Sequence, residues 1–258
     1  MIAYRYDGSF PGFLCCVWDA LEHKIEPTAF LLWEDGPTLW KERRVPTDEN
    51  RARRLYAALA KRVSGRFRHF IFWGFLTCLP ERELALFTLI RRGMTQGKRA
   101  AMDLSDPVMA RVMLAYQKLA TEQDHLKGFV RFSDLDGVLT GEIEPKNRVL
   151  PILAPHFAAR FSGERLALYD RTNREIFLSD RGRWEILPAE NFQMGPAGET
   201  ERSFRALWRN YFKAIAIEGR INPKCQSAHM PKRYRHVMTE FMADEIKSAL
   251  GERTGKEP

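Results

Sequence analysis

The sequence predicts an α+β protein in which helical N-terminal and C-terminal parts surround a central antiparallel sheet of about five strands. Apolar residues recur at helical spacing through most of residues 1–126 and again in residues 200–250. Between them, residues 127–188 hold short strand-like runs separated by tight turn signals, which indicates antiparallel pairing. A chain of 258 residues, 45% hydrophobic and 29% charged, can form one large domain, and we interpret residues 1–258 as a single domain.

The N-terminal part begins with a short strand at 3–6, followed by a helix that Ser9 can cap. The turn cluster Glu34-Asp35-Gly36-Pro37 lies between two strand-like runs and predicts an N-terminal hairpin. Thr47 or Asp48 can cap the next helix, which runs to about Val63. Further helices are predicted at 67–78, 80–93 and 105–127.

The central part predicts strands at 128–132, 138–144, 166–170, 175–179 and 183–187, with a short helix at 151–161. Its first turn belongs to the run DLDGVLT (134–140), which resembles the first motif of the haloacid-dehalogenase phosphatases. In those enzymes the first aspartate attacks a phosphate, and the reaction also needs a lysine and a later acidic pair for Mg²⁺. No convincing acidic pair follows in this sequence, and Asp136-Gly137 is a hairpin signal. We therefore favour a turn over a phosphatase site.

The net charge of +8 is distributed unevenly along the chain. Residues 41–100 carry fifteen bases and five acids, and residues 201–258 carry twelve bases and seven acids. Residues 1–40 and 101–200 are mildly acidic, at −4 and −3. Two basic blocks therefore exist, and they would form one positive surface if the fold brought them together.

The C-terminal block, within the basic helical segment 200–250, predicts a nucleic-acid interface because its bases are mixed with Trp, Tyr and Phe. One helix should present a basic stripe for phosphates, and its apolar stripe should lie in the core. A second short helix, opened by Met230-Pro231, should add bases and a ring for stacking. The predicted nucleic-acid-binding residues are Arg202, Arg205, Arg209, Lys213, Arg220, Lys232, Arg233, Tyr234 and Arg235. The alternative interpretation is a set of solvated helix faces.

Other groups permit an enzymatic alternative, a base-processing or phosphodiester-processing enzyme. Its candidate residues are Glu142, Glu144, His156 and Asp170. Cys225, His229 and His236 suggest zinc by their spacing, but a structural site needs a fourth ligand and no Cys-x₂-Cys pair exists. We predict no metal and no cofactor. The catalytic residues stay unassigned at this point.

Four segments in order resemble a bacterial family of DNA-metabolism or DNA-repair proteins. They are YDGSF (6–10) with GFL (12–14), KGFVRF (127–132), IEP (143–145) leading to VLPILAPHF (149–157), and LW (207–208) through NP (222–223) to MPKRY (230–234). Members of that family look like companions of a radical-SAM protein with a helix-hairpin-helix end, and some relatives are fused to a uracil-DNA-glycosylase-like domain. The resemblance implies a DNA context and supplies no catalytic residues. It does not imply glycosylase activity, because no glycosylase-type motif is present.

Three functions therefore stay open: a DNA-binding accessory partner of a radical-SAM enzyme, the enzyme described above, and a basic protein–protein interaction subunit. DNA and the radical-SAM helix-hairpin-helix protein are the expected partners. No apolar run approaches the ~20 residues that span a bilayer, so no membrane partner is expected. The four cysteines do not form a disulfide framework, and a cytoplasmic location is expected.

Overall fold

The computed structural model describes residues 1–190, 192–215 and 230–239, apart from the side chains of residues 100, 101, 209 and 212–215. The chain divides into two compact units. The first unit contains Met1–Thr121 and Lys146–Arg148, and the second contains Glu122–Pro145 and Val149–Pro258. Both units combine helices with a sheet, which confirms the predicted α+β class.

The sheet of the first unit has three parallel strands: β1 (Ile2–Tyr6) lies between β2 (Pro27–Leu32) and β3 (Lys41–Arg44). The predicted hairpin is therefore wrong, since β2 and β3 lie on opposite sides of β1. The reason is the Arg5 side chain of β1, which is almost fully buried. Its guanidinium donates to the carbonyl oxygens of Leu32, Asp35 and Gly36 at 2.7–2.8 Å and to Glu42 at 2.8 Å. These bonds hold the turn cluster beside β1 instead of leaving it as a hairpin tip.

Capping side chains set the starts of the first helices. Ser9 Oγ accepts from the Gly12 N–H at the start of α1 (Phe10–Glu22), and Asp48 caps α2 (Glu49–Arg62), as predicted for both. Ser64 caps α3 (Gly65–Phe75). The next helices are α4 (Arg82–Gln96), α5 (Lys98–Ala101) and α6 (Pro107–Phe129). Because α6 continues to Phe129, the strand predicted at 128–132 begins only at Phe132.

The core of the first unit is a single cluster of apolar side chains from β1, α1–α4 and α6. Aromatic rings occupy its centre: Phe13 stacks on Phe75 with ring centroids 5.5 Å apart, and Phe10 meets Phe72 edge to face at 5.2 Å. Tyr4 is buried, and its hydroxyl donates to Asp19 at 2.9 Å. These contacts join β1, α1 and α3 in the core of the first unit.

The second unit contains a five-stranded sheet in sequence order: β4 (Phe132–Leu135), β5 (Val138–Ile143), β6 (Arg165–Asp170), β7 (Glu175–Asp180) and β8 (Arg183–Pro188). The strand count agrees with the prediction, but the sheet is mixed because β5 and β6 are parallel. The chain between them forms α7 (Leu150–Arg160), which packs on β7 and β8 and returns the chain to the end where β5 began. Parallel neighbours require such a crossover.

The turn between β4 and β5 is a tight hairpin. Asp136 and Gly137 have φ values of 53° and 79°, both left-handed, and Leu135 pairs with Val138 across the turn. The Gly137 N–H donates to Asp134 Oδ1 at 2.7 Å. The turn interpretation of the run DLDGVLT is confirmed.

The second unit also contains α8 (Glu199–Ile215) and a 3₁₀ helix at Lys232–Val237. The helix predicted after Met230-Pro231 is thus of the tighter 3₁₀ type. Among the described residues, no helix combines the length and the apolar character needed to cross a bilayer.

Candidate nucleic-acid interface

The basic stripe predicted on α8 is only partly available for a ligand. Arg202 is exposed. Arg205 is engaged within the unit: its Nε donates to Glu201 Oε1 at 2.8 Å, and its Nη2 donates to Ser133 Oγ on β4 at 2.6 Å. Its side chain is 18% exposed, so little of the guanidinium is open to a phosphate in this structure. The side chains of Arg209 and Lys213, and Arg220 as a whole, lie outside the described residues.

The apolar stripe of α8 is exposed, which corrects the expectation that it lies in the core. Phe204, Leu207, Trp208 and Tyr211 are 46–63% exposed. Trp208 and Tyr211 stack on each other with their ring centroids 5.9 Å apart. The polar side of the helix faces β4 instead, through Arg205 and the Glu201 carboxylate, which also accepts from the Asp134 N–H at 3.3 Å.

Around the 3₁₀ helix, the predicted stacking ring is buried. Tyr234 is 1% exposed and packs against the rings of His125 and Phe129 at 5.6–5.9 Å, so it does not offer a face to a base. Arg233 lies over the Tyr234 ring and donates to Glu122, a carboxylate that is 2% exposed, at 2.8 Å. Both side chains are engaged with the end of α6 in this structure, and their predicted contacts with nucleic acid stay predictions.

Two further bases of this helix differ in exposure. Lys232 is exposed and keeps its predicted role as a candidate phosphate contact. Arg235 is half-buried, and its Nη2 points toward the Met230 carbonyl at 3.5 Å. Lys232 and Arg202 are therefore the two predicted bases whose described side chains are exposed and have no ion pair with another described residue.

The four residues of the enzymatic alternative are not brought into one pocket. Glu142 forms an ion pair with Arg171 at 3.0 Å, and Glu144 contacts His236 Nε2 at 2.7 Å. Both acids therefore have their own basic partner. His156 packs edge to face on a neighbouring ring, and burial, together with two nearby cations, lowers its pKa.

Asp170 ends β6 and closes the turn to β7. Its Oδ1 accepts from the Thr172 and Asn173 N–H groups at 3.0 Å, and its Oδ2 accepts from Asn173 Nδ2 at 2.7 Å. Burial raises the pKa of Asp170 to about 6, in spite of these hydrogen bonds. The geometry is that of a turn-capping carboxylate.

The three residues with zinc-like spacing are Cys225, His229 and His236. Cys225 and His229 lie outside the described residues, and His236 contacts Glu144. Within the described part of the chain, no three His, Cys, Asp or Glu side chains gather in a way that could hold a metal ion.

A run of exposed bases that form no ion pair with another described residue lies in the first unit, on α2 and α3. We call this set the α2–α3 basic face: Arg53, Arg54, Lys61, Arg62 and Arg66. None of them forms an ion pair with another described residue, and the only acid within α2 is Glu49. Arg54 and Lys61 are seven residues apart and therefore lie on one side of the helix. A nearby guanidinium, that of Arg68, lies 5.0 Å from the centre of the Tyr56 ring.

Next to this face, the first unit has an apolar depression of about 340 Å³, which we call the aromatic cleft. One face of α2 forms one wall, because the residues that line it from this helix are spaced by three, one and three positions. The first two turns of α1 and Phe72 of α3 complete it. The lining residues are Phe10, Pro11, Leu14, Glu49, Ala52, Arg53, Tyr56 and Phe72.

The positive block 41–100 is evident from the charge distribution, but none of its residues was predicted as a site residue. A sufficient signal was present: between Glu49 and Arg68 there are seven Lys/Arg and one acid, with Tyr56 among them. The ion pair between Glu201 and Arg205 was not predicted, although their spacing of four residues on a helix indicates it.

The chain was compared with known proteins. The model of a family described as a domain of unknown function, DUF4130, matches residues 80–240, which is more than half of the 258 residues. No curated protein and no solved structure matches the chain. Helices α2 and α3 precede the matched region.

Proposed function

The chain belongs to the family of DUF4130, a domain of unknown function, and for it we propose a nucleic-acid-binding role in DNA metabolism. The protein acts as an accessory module that binds DNA by contacting the phosphates of the DNA backbone. The observation that carries this proposal is the α2–α3 basic face, which concentrates exposed bases without acidic partners on two adjoining helices. Arg202 and Lys232 in the second unit are further candidate phosphate contacts.

The charge balance supports a polyanion over an ordinary solvated helix. Solvated helix faces usually mix both signs, because pairs four residues apart stabilise the helix. Helix α2 has five Lys/Arg after Glu49 and no further acid. Like charges so close together repel each other, and a phosphate backbone relieves that repulsion while releasing its counterions.

A salt titration tests the proposal. Binding of the purified protein to a fluorescently labelled DNA duplex is measured by polarisation between about 50 and 200 mM salt. The Arg54→Gln/Lys61→Gln variant should reduce the slope of log affinity against log salt by about 1.8, since each lost contact with duplex phosphates removes about 0.9. Glutamine keeps helix propensity close to that of the replaced residues.

The matched control is Arg111→Gln/Lys118→Gln on α6. These two bases are also exposed and seven residues apart, so the variant removes the same charge from a different helix. The control should keep the wild-type slope. Equal slopes for the wild type and both variants, or an equal loss in both variants, would contradict the assignment of the α2–α3 basic face.

A finer part of the proposal concerns a protein partner. Resemblance to the family that accompanies a radical-SAM helix-hairpin-helix protein supports a role beside such an enzyme. Co-purification of the two proteins after nuclease treatment would test it directly. A complex that persists without nucleic acid and is lost in the Arg54→Gln/Lys61→Gln variant would instead favour the basic protein–protein interaction subunit.

A further inference from the structure

We propose that the aromatic cleft of the first unit binds one unpaired base of a DNA strand whose phosphates lie along the α2–α3 basic face. This inference rests on the proposed function, because the same strand must reach both features. It adds a preference for single-stranded or locally opened DNA over intact duplex.

The size and lining of the cleft suit a flat ring. Its volume of about 340 Å³ lies at the lower end of the range for small-molecule sites, which fits a single base rather than a larger ligand. Phe10, Tyr56 and Phe72 line it and are each partly exposed. The Phe10 ring contacts both other rings edge to face, with its centroid 5.6 Å from that of Tyr56 and 5.2 Å from that of Phe72. The walls are therefore already fixed before a base enters.

The edge of the cleft has polar groups that suit the edge of a base. Glu49 and Arg53 lie four residues apart on α2 and are both exposed. A carboxylate accepts hydrogen bonds from exocyclic amino groups, and a guanidinium donates to base carbonyl or ring-nitrogen acceptors. The Arg68 guanidinium, 5.0 Å from the centre of the Tyr56 ring, adds positive charge next to the ring.

The positive charge beside the cleft favours a DNA base over an apolar side chain of a protein partner. Arg53 belongs both to the cleft and to the α2–α3 basic face, so a group bound in the cleft is continuous with a row of cations. A base attached to a phosphate backbone satisfies both environments at once. Stacking of a base on an aromatic side chain contributes about 1–3 kcal/mol and tolerates all four bases.

An abasic oligomer separates base binding from phosphate binding. Affinities are measured for a single-stranded DNA of about 12 nucleotides and for the same length made entirely of abasic sites, which keeps every phosphate. The wild type should bind the normal strand roughly 5- to 150-fold more tightly than the abasic strand. Tyr56→Ala and Phe72→Leu should each reduce this ratio toward one without changing the abasic affinity, and Tyr56→Phe should keep the ratio.

The outcomes distinguish the two proposals. The Arg54→Gln/Lys61→Gln variant should weaken both oligomers equally, which reports on phosphate contacts alone. Equal binding of both oligomers by the wild type would overturn the base site and leave DNA binding intact, as expected for a cleft that takes a partner's apolar side chain. Failure to bind either oligomer would also overturn the base site, and failure to bind the duplex of the salt titration as well would remove the proposed function itself. Because the first comparison uses only wild-type protein, misfolding of a variant does not affect it.

Discussion

Substituting Arg205 by alanine should loosen α8 from the sheet of the second unit and leave DNA binding largely unchanged. The guanidinium makes two hydrogen bonds, to Glu201 at 2.8 Å and to Ser133 at 2.6 Å, and it is mostly buried. Alanine favours helix, so the substitution does not weaken α8 itself. The lost stability therefore comes from the contact between α8 and β4.

The expected cost follows from these two bonds. A hydrogen bond to a charged group contributes about 1.5–3 kcal/mol when it is shielded from water, and an exposed pair contributes at most about 1 kcal/mol. With side chains 18% and 12% exposed, we expect about 2 kcal/mol for the pair and its serine contact together. In a chain of this size, that corresponds to a fall in Tm of about 4–8 °C.

Urea unfolding followed by circular dichroism measures this cost, and hydrogen exchange of α8 amides locates it. The matched control is Arg202→Ala, which removes an exposed arginine from the same helix and should change the free energy of unfolding by less than about 0.5 kcal/mol. A double-mutant cycle with Glu201→Ala should give a coupling energy of about 1 kcal/mol. An Arg205→Ala variant that is as stable as the wild type and has a salt slope of DNA binding lower by about 0.9 would contradict the docking role of Arg205.

Three further substitutions test other parts of the fold. Gly12→Ala would place its Cβ 2.2 Å from Asp7 Oδ1, an atom fixed by hydrogen bonds, and should lower thermal stability by about 1–3 kcal/mol in a melting experiment. Asp170→Asn removes a carboxylate whose pKa is raised to about 6. As pH falls from 7 to 4, the free energy of unfolding of the wild type should increase by about 2–3 kcal/mol relative to that of this variant, measured by urea unfolding. Burial alone would raise the pKa of Asp19, but its hydrogen bonds with Arg43 and Tyr4 lower that pKa overall. Arg43→Ala should therefore lower the free energy of unfolding by about 1–3 kcal/mol at pH 7. This loss should shrink as pH falls toward 3 in the same assay, because Asp19 becomes protonated.

Features that depend on neighbours in the sequence could be predicted. Ser9 and Asp48 cap helices where they were expected, because a capping side chain bonds to an N–H two or three residues away. The Asp136-Gly137 turn was also predictable, since its two left-handed residues are a property of that dipeptide.

Features that depend on distant groups could not be predicted in the same way. The Arg5 guanidinium reaches carbonyl groups 27–31 residues away, and nothing in the turn cluster itself indicates that bond. The side of α8 that packs was wrongly assigned, because an apolar stripe predicts a core contact only when another surface covers it. The same limit applies to the candidate interface: charge counts located two basic blocks, while the partners of each base depend on tertiary contacts.

Helix α8 has a practical consequence for handling the protein. Phe204, Leu207, Trp208 and Tyr211 together form an apolar strip that water covers only at a free-energy cost. Concentrated samples should therefore self-associate, so the apparent molecular mass from light scattering should rise with protein concentration. Replacement of Leu207 and Trp208 by serine should lower that mass. Biochemists who titrate this protein with DNA would do well to work below that threshold, or to use the serine variant, so that aggregation does not imitate cooperative binding.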